Sequence, residues 1–348
     1  MGDFATKSKC RSLDIIHFED LMRASRLILH RATHKAVLYS RFAWGVIAYN
    51  LLVILFGAYV RATGSGAGCG GHWPTCQGVI IPAAPQAATV IEYTHRLSSG
   101  LSVLLSIAIM LLAWRTFGKG HPVRLAASLT LVFTFTEALI GAGLVLLGLV
   151  AKDQSVERAI SQALHLTNTL LLLASVALTA WWASGRAPVR LARQGKKLWL
   201  PAAALAGIVL LDITGAITAL GDTLFPAQSL AAGLQQDVSA GSSFLIHLRA
   251  VHPVIAVVVV IYSAGVTGWI RAQRHDPGQR RVLCAGLAIF GLQLVLGGIN
   301  VLLLAPVWLQ LVHLLVADLV WLTMIFFTAL VLEDKEKIPA LRLSTSGY

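Results

Sequence analysis

The sequence predicts an all-α integral membrane protein of eight transmembrane helices, arranged as two parallel-related four-helix bundles with both termini cytoplasmic. Three observations predict it. Of 348 residues, 56% are hydrophobic and only 13% charged, and the apolar residues gather in eight runs close to the roughly 20 residues a helix needs to cross the hydrocarbon layer. Basic residues are confined to alternate loops. The last four runs repeat the pattern of the first four.

In order, the runs fall at about 42–63, 90–114, 123–149 and 158–183, then 198–218, 246–270, 281–304 and 308–332. They divide the chain into a basic N-terminal extension (1–41), a first bundle (42–183), a linker (184–197), a second bundle (198–332) and a tail (333–348). Charged and polar residues interrupt the extension throughout, so it does not read as a cleavable signal. Its stretch from Leu13 to Leu38 mixes Leu, Ile and Phe with Arg, His and Lys, which suits either an amphipathic helix on the inner membrane surface or a plain extension.

The orientation follows from Lys and Arg, which are retained on the cytoplasmic side when they stand in short loops. Segment 1–41 holds eight of them, 115–124 three, 186–197 five, 271–281 four and 333–348 three, whereas 64–89, 219–245 and 305–307 hold none. Lys152 and Arg158 flank the remaining outer loop. A multi-pass protein of a prokaryotic cell membrane is the expectation. The formal charge of +12 is then mostly this asymmetry plus attraction to anionic lipid in the bilayer, and it argues against nucleic acid as a partner.

The repeat can be seen residue by residue. Gly57-Ala58-Tyr59-Val60 ends the first span and Gly215-Ala216-Ile217-Thr218 the fifth, 158 residues later. Glu137-Ala-Leu-Ile-Gly141 in the third span aligns with Gln293-Leu-Val-Leu-Gly297 in the seventh, offset by 156, and His95 with His252, offset by 157. Consistent offsets between spans that run the same way indicate a duplicated unit in parallel orientation.

Each unit carries two histidines. His95, His165, His252 and His313 fall about five to seven residues inside the outer ends of the even-numbered spans, which is about 8–10 Å deep at 1.5 Å per residue. A histidine inside a membrane is costly unless it binds or pairs with something. Two facing imidazoles are the axial ligands a haem iron takes, and bundle cores commonly hold cofactors. No Cys, Met or carboxylate partners complete a copper or zinc set in each half, and Gly141, Gly143, Gly297 and Gly298 leave room for a large flat ligand. His247 competes with His252, but the repeat offset favours His252.

The halves differ beside these histidines. Glu92 precedes His95 by one helical turn and shares its face, while Arg249 takes that place before His252. Glu92 could serve as acid, base or anionic stabiliser at a reacting group, and Arg249 and Arg96 could neutralise propionates. The plainer reading makes Glu92 a structural partner of Arg61 or Arg96. In the first outer loop, Gly64-Ser-Gly-Ala-Gly-Cys69-Gly-Gly-His72-Trp73-Pro74-Thr-Cys76 places two cysteines in a non-cytoplasmic loop. A Cys69–Cys76 disulfide suits that compartment, with metal binding through His72 the alternative.

The run from Gly57 through Arg61, Thr63, Gly64, Gly66, Cys69, Trp73-Pro74 and Cys76, followed by Ile91-Glu92-Tyr93-Thr94-His95-Arg96, resembles the haem A synthase family over about residues 42–332. The resemblance implies oxidation of the C8 methyl of haem O to the formyl group of haem A, used by terminal cytochrome oxidases. Glu92, His95 and His165 would then belong to the substrate haem O, with the glutamate stabilising positive charge or shuttling protons. His252 and His313 would ligate a resident haem b that relays electrons. It also implies haem O synthase as the supplier of substrate and a separate electron donor, and it allows a homo-oligomer.

Two departures stand out. The second outer loop (219–245) lacks the cysteine pair that some members carry, leaving Asp222, Phe225 and Pro226 to shape it, and Pro253 replaces the Arg that follows the second-half histidine in many members. Two other readings share the same spans. A two-haem b-type cytochrome acting only in electron transfer needs the four histidines but neither Glu92 nor the cysteine loop. A transporter with parallel repeats calls for helices broken at mid-membrane.

Overall fold

A computed structural model describes residues 5–334, with side chains from residue 34 onward. The surface-helix reading of Leu13 to Leu38 therefore rests largely on side chains outside the described residues. The described chain is all-helical: α1 (Ala5–Ala62), α2 (Ala87–Thr116), α3 (Pro122–Leu146), α4 (Val156–Ala183), α5 (Lys196–Leu224), α6 (Leu230–Val238), α7 (Phe244–Ala272), α8 (Pro277–Leu302) and α9 (Val307–Val331), with a 3-10 turn at Ser65–Ala67. Eight of these are long and apolar enough to cross a membrane: α1 from His34, and α2 to α5 and α7 to α9.

Local chemistry sets the helix ends. Ser155, Ser229 and Asp276 accept a backbone N–H from three residues on, at the starts of α4, α6 and α8, each satisfying one orphan donor of the first turn. Pro122 and Pro277 occupy first-turn positions where no N–H is missed. Within α7, Pro253 has no N–H to offer the carbonyl one turn before it, yet the helix continues through it. The loop expected at 219–245 is largely helical, because α5 runs on to Leu224 and α6 follows a capped start at Ser229.

One continuous apolar core draws on all eight spans, from Ile47 and Ile109 through Leu173 and Ile208 to Leu283 and Met324. α4 and α9 are its centre: 50% and 56% of their most apolar stretches are buried within the protein, against 17–28% for the other six spans. Those six leave apolar faces uncovered, as expected where lipid is the solvent. Trp321 of α9 donates to the Leu170 carbonyl of α4 at 2.8 Å. At the end of α1, Arg61 reaches the Ala219 carbonyl, Thr223 and Gln310, so the two halves are joined by both core and polar contacts.

Candidate functional site

All four histidines come to lie against glycine. A Cβ at Gly57 would stand 3.0 Å from the His95 ring, at Gly215 3.0 Å from His252, at Gly297 3.3 Å from His313 and at Gly141 3.4 Å from His165. These glycines are the repeat-equivalent pairs Gly57/Gly215 and Gly141/Gly297, so both halves seat two imidazoles by the same backbone device. His95 is thus seated on α1 and His165 on α3, and His252 on α5 and His313 on α8. Gly141 and Gly297 were expected to leave room for a flat ligand; the structure puts them against the His165 and His313 rings.

The ring nitrogens are treated differently in the two halves. His165 Nδ1 lies 2.7 Å from Glu137 Oε1, and that carboxylate also accepts from Asn168 and Thr169. A carboxylate on the far nitrogen fixes a histidine's orientation and raises its basicity as a metal ligand. In the second half the equivalent residue is neutral: Gln293 Nε2 stands 3.3 Å from His313 Nε2. His252 Nδ1 instead meets the Thr214 hydroxyl at 3.0 Å, where the first half has Phe56 edge-on to the His95 ring. His95 Nδ1 and His313 Nδ1 are buried without a protein partner, and such groups ask for a ligand, ion or water.

Glu137, Gln293 and Thr214 were not identified as site residues from the sequence, although Glu137 and Gln293 stood opposite one another in the repeat. The available signal was an ionisable residue inside an apolar span. Its partner His165 lies on the next helix, and only packing reveals the pairing.

Glu92 is 3% exposed and fully engaged. Its Oε2 accepts the Cys69 N–H at 2.8 Å and its Oε1 pairs with the Arg96 guanidinium. Arg96 in turn donates to the His72 and Thr75 carbonyls. The cysteines Cys69 and Cys76 form a disulfide, which leaves His72 without thiolate partners for a metal. The loop is seated by close backbone contact as well: Thr89 Oγ1 donates to the Gly68 carbonyl at 2.8 Å, and a Cβ at Gly68 would stand 2.4 Å from the Ala88 backbone. A residue larger than glycine cannot sit there without moving the loop off α2.

Arg249 has the corresponding position on α7. It donates to Asp237 at 2.8 Å and to Asp222 at 3.1 Å, and reaches the Gly233 carbonyl at 3.2 Å, so it clasps α6 to the end of α5. His247 Nε2 meets the Ser239 carbonyl at 2.9 Å and serves the same connection between α5 and α7, whereas His252 faces Gly215.

Residues 40–325 match the family described as cytochrome oxidase assembly protein. Two proteins of Thermus thermophilus strains, each named protoheme IX farnesyltransferase, are 52% and 51% identical over 297 residues, covering 85% of this chain and 49% of theirs. Heme A synthase of Halalkalibacterium halodurans is 40% identical over 98 residues, 28% of this chain and 33% of its own. That of Bacillus licheniformis is 38% identical over 128 residues, 37% and 39% of the two chains. The chain spans about half the length, or less, of these curated relatives.

Proposed function

Because the chain belongs to the cytochrome oxidase assembly family that includes the haem A synthases, we propose that it is a haem A synthase of a prokaryotic cell membrane, with both termini cytoplasmic. It oxidises the C8 methyl of haem O to the formyl group of haem A. The observation that carries the reading is the duplicated histidine seat: two imidazoles per half, each pressed on a glycine where a side chain would crowd it. That donor set suits a six-coordinate haem iron, and the buried unpartnered nitrogens of His95 and His313 leave coordination capacity for one.

In this reading His95 and His165 hold the substrate haem O, and His252 and His313 hold a resident haem b, which supplies one-electron chemistry when bound. Glu137 orients His165 through Nδ1 and leaves its other nitrogen facing Gly141. Glu92 keeps the crosslinked loop closed over the first site and supplies negative charge at its edge. Closing a site against water strengthens every charge inside it. Arg249 contributes positive charge at the rim of the second site, where a propionate would share it with Asp222 and Asp237. Substrate comes from haem O synthase, and electrons come from a separate donor.

A second reading takes the name of the Thermus relatives and makes this chain a farnesyltransferase, favoured by the 52% identity. Half of that relative lies outside the match, so the name can describe the other half. Expression of this chain in cells that make haem O, followed by chromatography and mass analysis of extracted haems, decides among the readings. Haem A appearing only with this chain supports the synthase. Haem O formed from haem B by this chain alone supports farnesyl transfer, and unchanged haems with a stable b-type spectrum support a pure electron carrier.

A further inference from the structure

Deeper in the second half lies a polar set that the histidine seats do not use. Asp212 of α5 lines a cavity whose wall on α9 is made by Ala317, the neighbour of Asp318, and Val320. Asp318 is 2% exposed and its Oδ2 bonds to nothing. Ser263 of α7 is 1% exposed with its Oγ equally unpartnered. Together with Asp212 and Gln293 it lines the same cavity, of about 20 Å³, room for one water. Thr267, one turn further along the same face of α7, has an unpartnered buried hydroxyl as well. On the other side, Gln293 spans from the cavity to His313.

A file of buried, unpartnered polar atoms marks bound water, and carboxylates inside a span mark proton pathways. The first half has no such pair at this depth. Ile54 and Leu170 occupy the equivalent positions, and Ser106, the counterpart of Ser263, is bonded to Thr134 at 2.8 Å. The ionisable groups around the pair are His252 and His313 on the outer side and Arg271 at the inner end of α7. On the other helices α4 keeps Glu157, Arg158 and His165 in one part, α8 has Arg280, Arg281 and Cys284 near its start, and α1 has only Tyr49 and Tyr59 between Arg41 and Arg61.

We propose that Asp212 and Asp318 form a proton-accepting pair, supplied by water along Thr267 and Ser263 from the side of the chain termini, that takes up one proton when the second half is reduced. This rests on the reading of His252 and His313 as ligands of a resident haem b. The step balances. One electron enters the second half from a one-electron donor, an electrode in the test, and one proton from termini-side water converts a carboxylate of the pair to a carboxylic acid. The net charge of the low-dielectric interior is then unchanged, which is the reason for coupling the two.

The test is a spectroelectrochemical titration of the full chain with its haem b at several pH values, together with the reduced-minus-oxidised infrared spectrum. The midpoint potential should fall as pH rises, by up to about 59 mV for each tenfold drop in proton concentration, and reduction should create a carboxylic C=O band. Asp212→Asn combined with Asp318→Asn should flatten the slope and remove the band while leaving the b-type spectrum in place. A flat potential in the native protein, an absent band, or an unchanged slope in the double variant overturns the pair while the function above stands. Absence of any b-type spectrum overturns both.

Discussion

One turn before the first histidine of each half stands a charged residue that ties down the neighbouring loop, yet the two charges are opposite. In the first half the Glu92 carboxylate accepts a backbone N–H from the disulfide loop. In the second the Arg249 guanidinium grips Asp237 at the end of α6 and Asp222 at the end of α5. The duplicated scaffold thus keeps the position and the tethering task while inverting the sign of the tethering group. Nearer the histidines the contrast recurs: Glu137 on His165, Gln293 on His313. A carboxylate sits on a histidine nitrogen in the first half and a neutral amide in the second, a difference expected if one half carries out the oxidation and the other relays electrons.

The largest expected effect comes from Glu92, where tether and charge can be separated. Glu92→Ala should lower haem A formation by about 10² to 10⁴, the range for losing an acid–base or electrostatic group, and should also loosen the loop. Glu92→Gln can still accept the Cys69 N–H. It should therefore keep the loop resistant to proteolysis while activity falls nearly as far. Full activity in Glu92→Gln would reduce Glu92 to a tether and erase the functional half of the contrast.

Making the deeper sites alike is the next test. Glu137→Gln gives the first half the second half's neutral partner, and loss of an orienting carboxylate costs about 10- to 100-fold in affinity or activity. The spectrum of haem bound by His95 and His165 should shift while that of His252 and His313 does not. Equal shifts in both spectra would mean that the halves are not independent seats.

Smaller effects should follow from the glycine pads, which probe what the halves share. Gly57→Ala and Gly215→Ala push a Cβ to 3.0 Å from a histidine ring, an overpacking worth about 1–3 kcal/mol, and each should lower haem retention in its own half. Gly141→Ala, at 3.4 Å, should be milder; the reverse order in a haem-retention assay would contradict the seat geometry. The smallest effect belongs to His247→Ala, which removes a contact to the Ser239 carbonyl and should leave the b-type spectrum intact, whereas His252→Ala should abolish it.

Much of this could be read along the chain because it is local or repetitive. Eight apolar runs became eight helices, and the offset of 157 between His95 and His252 corresponds to matching glycine contacts in the structure. Pairing of Cys69 with Cys76 was also legible, since they stand only 7 positions apart in the chain. The helix α6 was missed because nine residues give too little periodicity to be told from a polar loop.

By itself, then, the sequence determined the spans, the internal repeat and the place of the four histidines along their helices, which follow from apolar length and from matching residues at a constant offset. Tertiary structure alone decided the partners: Glu137 for His165, Cys69 for Glu92, and Asp237 for Arg249. The reason is physical. Hydropathy and helix period constrain one helix at a time, whereas a hydrogen bond between helices depends on rotation and packing against neighbours, which residues distant in the chain set together.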